Sequence, residues 1–478
     1  MRLKASNSVV VTFIVLSSFC FLSSPLNASV LDLGEWDHEI GYEWRTFNET
    51  GAQGQAKNGV SIYYQPEVYW ESEEGIDSFT FQPFFRWDQS DSERTHFDVR
   101  DAYWTHVGDW WETRIGMTSV YWGKTEFTHL VDIVNQKDAI EGGQGDARLG
   151  QPMLNASFVF EEGILDLFVM GGFRETTFAG EGGRLRTPLL VDNSDPRFDN
   201  QLVRGLDFAM RWEQPVGNYW EIAISEFNGL SRSPSLGFNF DFFVSPAFFP
   251  VYEQINQLGF EAEFIYEGLI WKTEGVRVSG QVGGRWYAVS TGWEYTFGDL
   301  FGTGHDITSI FEYVYDSRSK KAPHFLERDF ALGFRWAAND EQDTSALMGV
   351  FYDPDTHEKV AIIEASRRLG SEWTLKVSST FVIVKGRPFI DDNLSDAFNS
   401  LLANPLFVGA EITDEARLFL ASLFFDYTGG ELLNIFNGAL NDQILDTLQS
   451  LQALSDFDSK LSFLDNDDFV QVELVHYF

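Results

Sequence analysis

From Leu31 onward the chain reads as segments of about ten residues in which apolar and polar side chains alternate, parted by turn residues. Val60, Ile62, Tyr64, Pro66, Val68 and Trp70 share one parity, and Ser61, Tyr63, Gln65, Glu67 and Tyr69 the other. Phe79, Phe81, Pro83, Phe85 and Trp87 stand against Gln82 and Arg86, and Phe330, Leu332, Phe334 and Trp336 against Asp329, Ala331, Gly333 and Arg335. The final stretch Asp468–Phe478 alternates in the same way. Successive strand side chains point to opposite faces, so each segment has one greasy and one mostly polar face. About 18 such segments can be counted (16–18 allowing for boundaries), from near Glu39 to the last near Phe469. No later segment offers some 18 to 20 uninterrupted apolar residues, so helical spans are excluded. The pattern predicts an all-β fold: a transmembrane, antiparallel, up-and-down β-barrel with an apolar exterior and a polar lumen.

Connection lengths sort by parity. Every second connection is short, as in Ser72–Gly75, Gly108–Asp109, Glu161–Gly163, Gln214–Gly217 and Glu267–Gly268. The alternate connections include all the long ones: Gly123–Gln151, Glu175–Asn200, Asn228–Asn256 and Lys385–Asp467. Short turns at one end and long loops at the other are what an outer-membrane barrel requires, and a soluble β-sandwich has no reason to sort its loops this way. Within the last connection, residues 391–464 leave the strand pattern, and Glu431–Leu454 carries Leu432, Leu433, Phe436, Leu440, Ile444, Leu445, Leu448 and Leu451 at helical spacing. A partly helical insertion, extracellular or lumenal, is expected there before the last strand.

The first residues form an export signal. Arg2 and Lys4 precede an apolar run from Val9 to Leu22, and Leu26-Asn27-Ala28 supplies a cleavage site. The division is therefore a signal peptide at 1–28 and a barrel at 29–478. Cys20, the only cysteine, leaves with the signal, so disulfide and thiol chemistry are excluded from the mature chain. Aromatic residues make up 16% of the sequence, in keeping with outward rings against lipid. A net charge of −38 disfavours nucleic acid, because a phosphate backbone needs a basic partner. Solvated loops account for most of the acid, with divalent cations bridging to lipopolysaccharide as a further role.

Trp122-Gly123-Lys124 followed by Asp132-Ile133-Val134-Asn135-Gln136-Lys137-Asp138 resembles a motif in the first long loop of porin-like barrels, with Gln136 where the pattern has Pro. Alginate-export-type channels and uncharacterised porin-like groups share it, and Glu364–Gly370 and Tyr315–Arg318 are similar to strand ends in one such branch. The terminal Phe478 resembles the assembly signal of Gram-negative outer-membrane barrels. The resemblance implies residence in the cell outer membrane, contact with outer-membrane lipid and lipopolysaccharide, handling by the barrel assembly machinery, and either a monomer or a homotrimer.

A barrel of this strand number is too wide to be filled by its own strand side chains, so inward positions set field and diameter. By alternation the pore-lining set includes Glu67, Arg86, Arg100, Arg114, Glu263, Lys272, Glu274, Glu312, Arg335 and Glu364. Glu126, Asp132, Asn135, Lys137 and Asp138 lie on the loop expected to fold inward as a constriction. Each charge either shapes the passing field or pairs with a neighbour across strands, and both readings stand together. No paired-Cys, H-E-x-x-H or G-x-S-x-G pattern is present, so no metal, cofactor or catalytic site is expected. The expected function is a porin or channel for small hydrophilic or charged solutes. The alternatives are a non-conducting structural or binding barrel occluded by its insertion, and an outer-membrane hydrolase using His129 with Asp132.

Overall fold

The computed structural model describes residues 34–384 and 464–478 together with Leu461, apart from 142–146, 188–189, 195, 199–204, 240–246, 282–283, 320–321 and 323–325. The export signal and the helical stretch expected at 431–454 lie outside the described residues.

In chain order the first strands are β1 (Glu35–Phe47), β2 (Asn58–Glu71), β3 (Asp77–Asp88), β4 (His96–Val107), β5 (Trp111–Thr118), β6 (Gln151–Val159) and β7 (Ile164–Gly171). Next come β8 (Arg197–Phe198), β9 (Leu206–Val216), β10 (Trp220–Leu230), β11 (Ser235–Asn239), β12 (Ala247–Tyr252), β13 (Gln254–Tyr266) and β14 (Leu269–Ser279). The last are β15 (Trp286–Phe297), β16 (Asp306–Asp316), β17 (Phe330–Ala337), β18 (Ser345–Tyr352), β19 (Lys359–Leu369), β20 (Trp373–Ile383) and β21 (Phe469–Tyr477). All but β8, β11 and β12 form one 18-stranded sheet. Every neighbour in it is antiparallel, and β1 pairs with β21, so the sheet closes on itself and leaves no edge. At the seam His38 and Phe478 exchange both backbone hydrogen bonds at 3.1 Å, and their rings stack 5.0 Å apart.

Side-chain alternation runs as the sequence predicts. Phe208 and Phe334 face outward with half of their surface exposed, and Trp293 packs beside Phe311 on the same outer face. Between them, Asp207, Gly333 and Glu294 point inward. One irregularity matters for the lumen. Gln82 of β3 faces Asp101, but Pro83 faces Val99, so Arg100 is an extra residue on β4. This bulge turns both Arg100 and Asp101 toward the interior, where strict alternation would admit only one of them.

Two boundaries differ from expectation. Gln214, Pro215 and Val216 belong to β9, because Pro215 tolerates its pairing with Glu221 near the strand end, and the turn is only 217–219. The first strand begins at Glu35 rather than Glu39. The long loops carry an unforeseen three-stranded sheet, β8–β12–β11, whose Tyr252 is fully buried against Phe173 and Phe198.

Candidate functional site: a loop anchored across the lumen

The connection between β5 and β6 (119–150) does not stay at the rim. Its base is held by Asn135, whose side-chain amide donates to Thr118 O and Leu149 O at 2.9 Å and whose Oδ1 accepts the Val120 amide at 2.8 Å. Gln136 is fully buried, and its backbone carbonyl accepts the Leu149 amide at 2.9 Å, a bond that a Pro at this position would not disturb.

From this base the loop lies along one arc of the wall. Trp122, Val131, Ile133 and Val134 pack on inward-facing Met153, Phe168, Met170, Phe227, Ile255, Val276 and Val278, forming an apolar core inside the barrel. That half of the interior is protein, not water.

The loop tip is caught by carboxylates of β14 and β16 farther along the same arc. Glu274 Oε1 accepts hydrogen bonds from the Thr125 amide at 2.9 Å and hydroxyl at 2.7 Å and from the Lys124 amide at 2.6 Å, while Oε2 accepts the Val131 amide at 3.3 Å. Glu312 accepts the amides of Glu126 and Phe127, the latter at 3.2 Å. Both glutamates are buried beneath the loop. They are anchors rather than surfaces that meet solvent. Phe127 seats over Gly333 and Gly349, where a Cβ would lie 2.6 Å and 3.2 Å from its ring. Glu126 bonds Arg335, which lies 3.4 Å from Glu294. Lys124 bonds Glu221 and lies 3.8 Å from Glu213 and 3.9 Å from Glu263. Burial opposes its charge, but these carboxylates prevail and hold the ammonium above the ordinary lysine pKa.

The returning limb is tied to the near wall. Asp138 pairs with Arg100 at 2.6 Å and Glu141 with Arg86 at 2.7 Å, while Asp132 and Arg148, both within the loop, pair with each other at 2.7 Å. Burial raises the Asp132 carboxyl above its usual value against the pull of Arg148. Lys137 keeps an exposed side chain while its backbone bridges Arg148. The second long loop braces this limb through Thr177, whose hydroxyl donates to Asp138 at 2.7 Å.

Among the described residues, open space follows the remaining arc, β17–β21 with β1–β3. Three joined cavities of about 590, 580 and 460 Å³ follow it. Arg45, Glu126, Leu347 and Glu364 border both the first and the second. Glu141, Ala147, Gln471 and Glu473 border both the second and the third, where Arg86, Arg100 and Arg148 also lie. Both signs of charge line the path throughout, and many are paired: Arg94 grips Glu43 at 2.7 and 2.8 Å, Arg86 lies 3.2 Å from Glu43, and Lys376 lies 3.4 Å from Glu473. Of the other predicted wall positions, Glu67 accepts from Gln82 at 2.8 Å, Lys272 bonds Glu294, and Arg114 lies 3.2 Å from Glu112. Sequence reasoning missed Arg94, which reaches in from the β3–β4 loop, and gave no special weight to Arg45. His129 meets Tyr121 at 2.7 Å while Asp132 serves Arg148, so the pair considered for hydrolysis is divided between different partners.

No family model matches the chain, and no curated protein matches it. The finer likeness to alginate-export-type channels therefore has no support from these comparisons. Among solved structures, the chain is similar to OccK11 (OpdR) of Pseudomonas aeruginosa, with 7% identity and a TM-score of 0.44 over 93% of this chain and 95% of that one. It is similar also to Wzi of Escherichia coli, described as a carbohydrate-binding β-barrel of the outer membrane involved in group 1 capsule assembly. Identity there is 10% and the TM-score 0.43, over 73% of this chain and 80% of that one. A mutant of Rh. blastica porin gives 10% identity and a TM-score of 0.37, over 73% of this chain and 94% of that one. These likenesses concern barrel architecture alone; the strand count and closure rest on this chain's own pairing.

Proposed function

We propose that this chain is an outer-membrane porin through which small hydrophilic solutes diffuse passively. The observation that carries the reading is the anchored loop. It fills one half of the interior and leaves a run of adjoining, charge-lined cavities along the other, with Arg45, Glu126 and Glu364 bordering both the first and the second. Opposite charges across a narrow aqueous passage orient dipolar solutes and hold their hydration, whereas a barrel serving only as scaffold gains nothing from such a path. Lipid meets the outward aromatic faces, and lipopolysaccharide the long-loop end. In this reading Arg45, Arg86, Arg100, Glu126, Arg335 and Glu364 meet the passing solute.

Planar-bilayer recording of the purified, folded protein tests it. Discrete current steps are the expected result, and their absence at any voltage below rupture of the bilayer would overturn the proposal.

A further inference from the structure

The inward face of β18–β20 changes character along the barrel axis. In the row nearest the long loops, Phe351 pairs with Val360 and Val360 with Val382, and all three are buried, inward and apolar. The next row is Gly349, Ile362 and Thr380, and the Thr380 hydroxyl oxygen has no hydrogen-bond partner among the described residues. One row deeper the wall is charged. Arg335 pairs with Leu347, Leu347 with Glu364, Glu364 with Ser378, Ser378 with Gln471, and Gln471 with Arg45. Cation, carboxylate and cation thus follow one another at a single level directly beneath an apolar wall.

Phe351, Val360 and Val382 form one apolar cluster with Ala331 and Leu461, against which Ile362, Phe127, Leu326 and Leu464 pack. Phe127, Leu326, Leu461 and Leu464 extend the apolar lining from the loops, and a cavity of about 590 Å³ remains between them and the charged wall of β1–β3. An apolar cavity of roughly 150 Å³ already holds a benzene-sized molecule. Resting on the porin reading above, we propose that this cavity is a subsite for small zwitterions with a branched or aromatic hydrocarbon side chain, such as apolar amino acids. The hydrocarbon lies on Val360, Ile362 and Val382, the ammonium faces Glu364, and the carboxylate faces Arg45. A solute with one charge meets repulsion from the row as well as attraction, whereas a head group carrying both signs aligns with it.

The test is single-channel recording of the full chain in the presence of glycine, leucine, or isocaproate, which has the hydrocarbon and only the carboxylate. Leucine should interrupt the current with dwell times about tenfold longer than glycine, the factor expected from partly burying its side chain. Isocaproate should fall near glycine. In the near-isosteric Val360→Thr/Val382→Thr double variant, the leucine-to-glycine ratio should drop toward one. Val350→Thr, which changes an outward-facing valine, should leave the ratio as it is. Circular dichroism melting of the double variant establishes that its barrel is folded. Equal dwell times for leucine and glycine in the unaltered protein would overturn the subsite while leaving the porin intact, as would a folded double variant with an unchanged ratio. Isocaproate dwelling as long as leucine would overturn the zwitterion assignment. A protein that gives no current steps would overturn both.

Discussion

Glu274 and Thr125 meet where the loop tip rests on β14, and one carboxylate oxygen accepts both the amide and the hydroxyl of the threonine, at 2.9 and 2.7 Å. A strand residue and a loop residue 149 positions apart are joined by two hydrogen bonds in a buried place. The loop's path follows from this contact and its neighbour at Glu312.

Removing the acceptors should free the tip. In Glu274→Ala/Glu312→Ala the buried amides of residues 124–127 lose their partners, at a cost of about 1–3 kcal/mol for each donor left unpaired. The loop should then leave the wall, and single-channel traces should show a rise in mean conductance of roughly twofold with added open-channel noise. A quiet channel of unaltered conductance would show that the apolar core of the loop suffices to hold it.

Gly333 offers a second route to the same contact. Its missing Cβ leaves room for Phe127, and Gly333→Val would drive a methyl-bearing carbon into the ring. The expected outcome is displacement of Phe127, read as increased proteolysis of the loop within folded barrels. Outward-facing Leu332→Val should not increase it.

Although the chain carries −38 charges, the path is lined by cations and carboxylates in near balance, so the protein's total should not fix its selectivity. A reversal potential measured across a salt gradient should correspond to a cation-to-anion ratio within about threefold of unity. Arg45→Glu removes a cation that borders two of the cavities and adds an anion, and should move the ratio clearly toward cations. A strongly selective unaltered channel would contradict the balance.

At the long-loop rim, burial lifts Asp329 to about 7, with Asp353 and Glu327 adding repulsion and the Arg328 amide opposing it. Because the folded value lies above the ordinary 3.8, the protonated form is favoured by the fold. Its contribution is therefore intact at low pH, falls as pH rises through that window, and is lost above about 7. Protection of the Val314, Asp316 and Asp329 amides from hydrogen exchange, corrected for intrinsic rates, should decline between about pH 4 and 7 and level off above that. Asp329→Asn should flatten the decline, and a decline of the same size in the variant would assign it to other groups.

Much of this architecture is legible in the sequence because a lipid-exposed strand must alternate. The period-two pattern at Val60–Trp70 and Phe330–Trp336, with loop lengths sorted by parity, yields the 18-stranded barrel. The covered half of the lumen escapes that logic. Phe168, Met170, Phe227, Val276 and Val278 are apolar at inward positions, which an aqueous wall would not tolerate, and only the loop core explains them. Hydrocarbon at inward parity was thus a usable signal that part of the lumen is dry. Glu274 and Glu312 looked like solvent-facing charges because alternation reports direction, not what lies in front of a side chain. The bulge at Arg100 was not readable either, since nothing local distinguishes an extra residue from a continued strand.

The division of the interior into a packed arc and an open arc separates two kinds of freedom. Changes on β6–β15 are constrained by the folding of the loop that leans on them, so they are tied to whether a channel exists at all. Changes on β19–β21 and β1–β2 touch mainly the traveller. That side is where natural drift or an engineer could retune what crosses without redesigning the gatehouse.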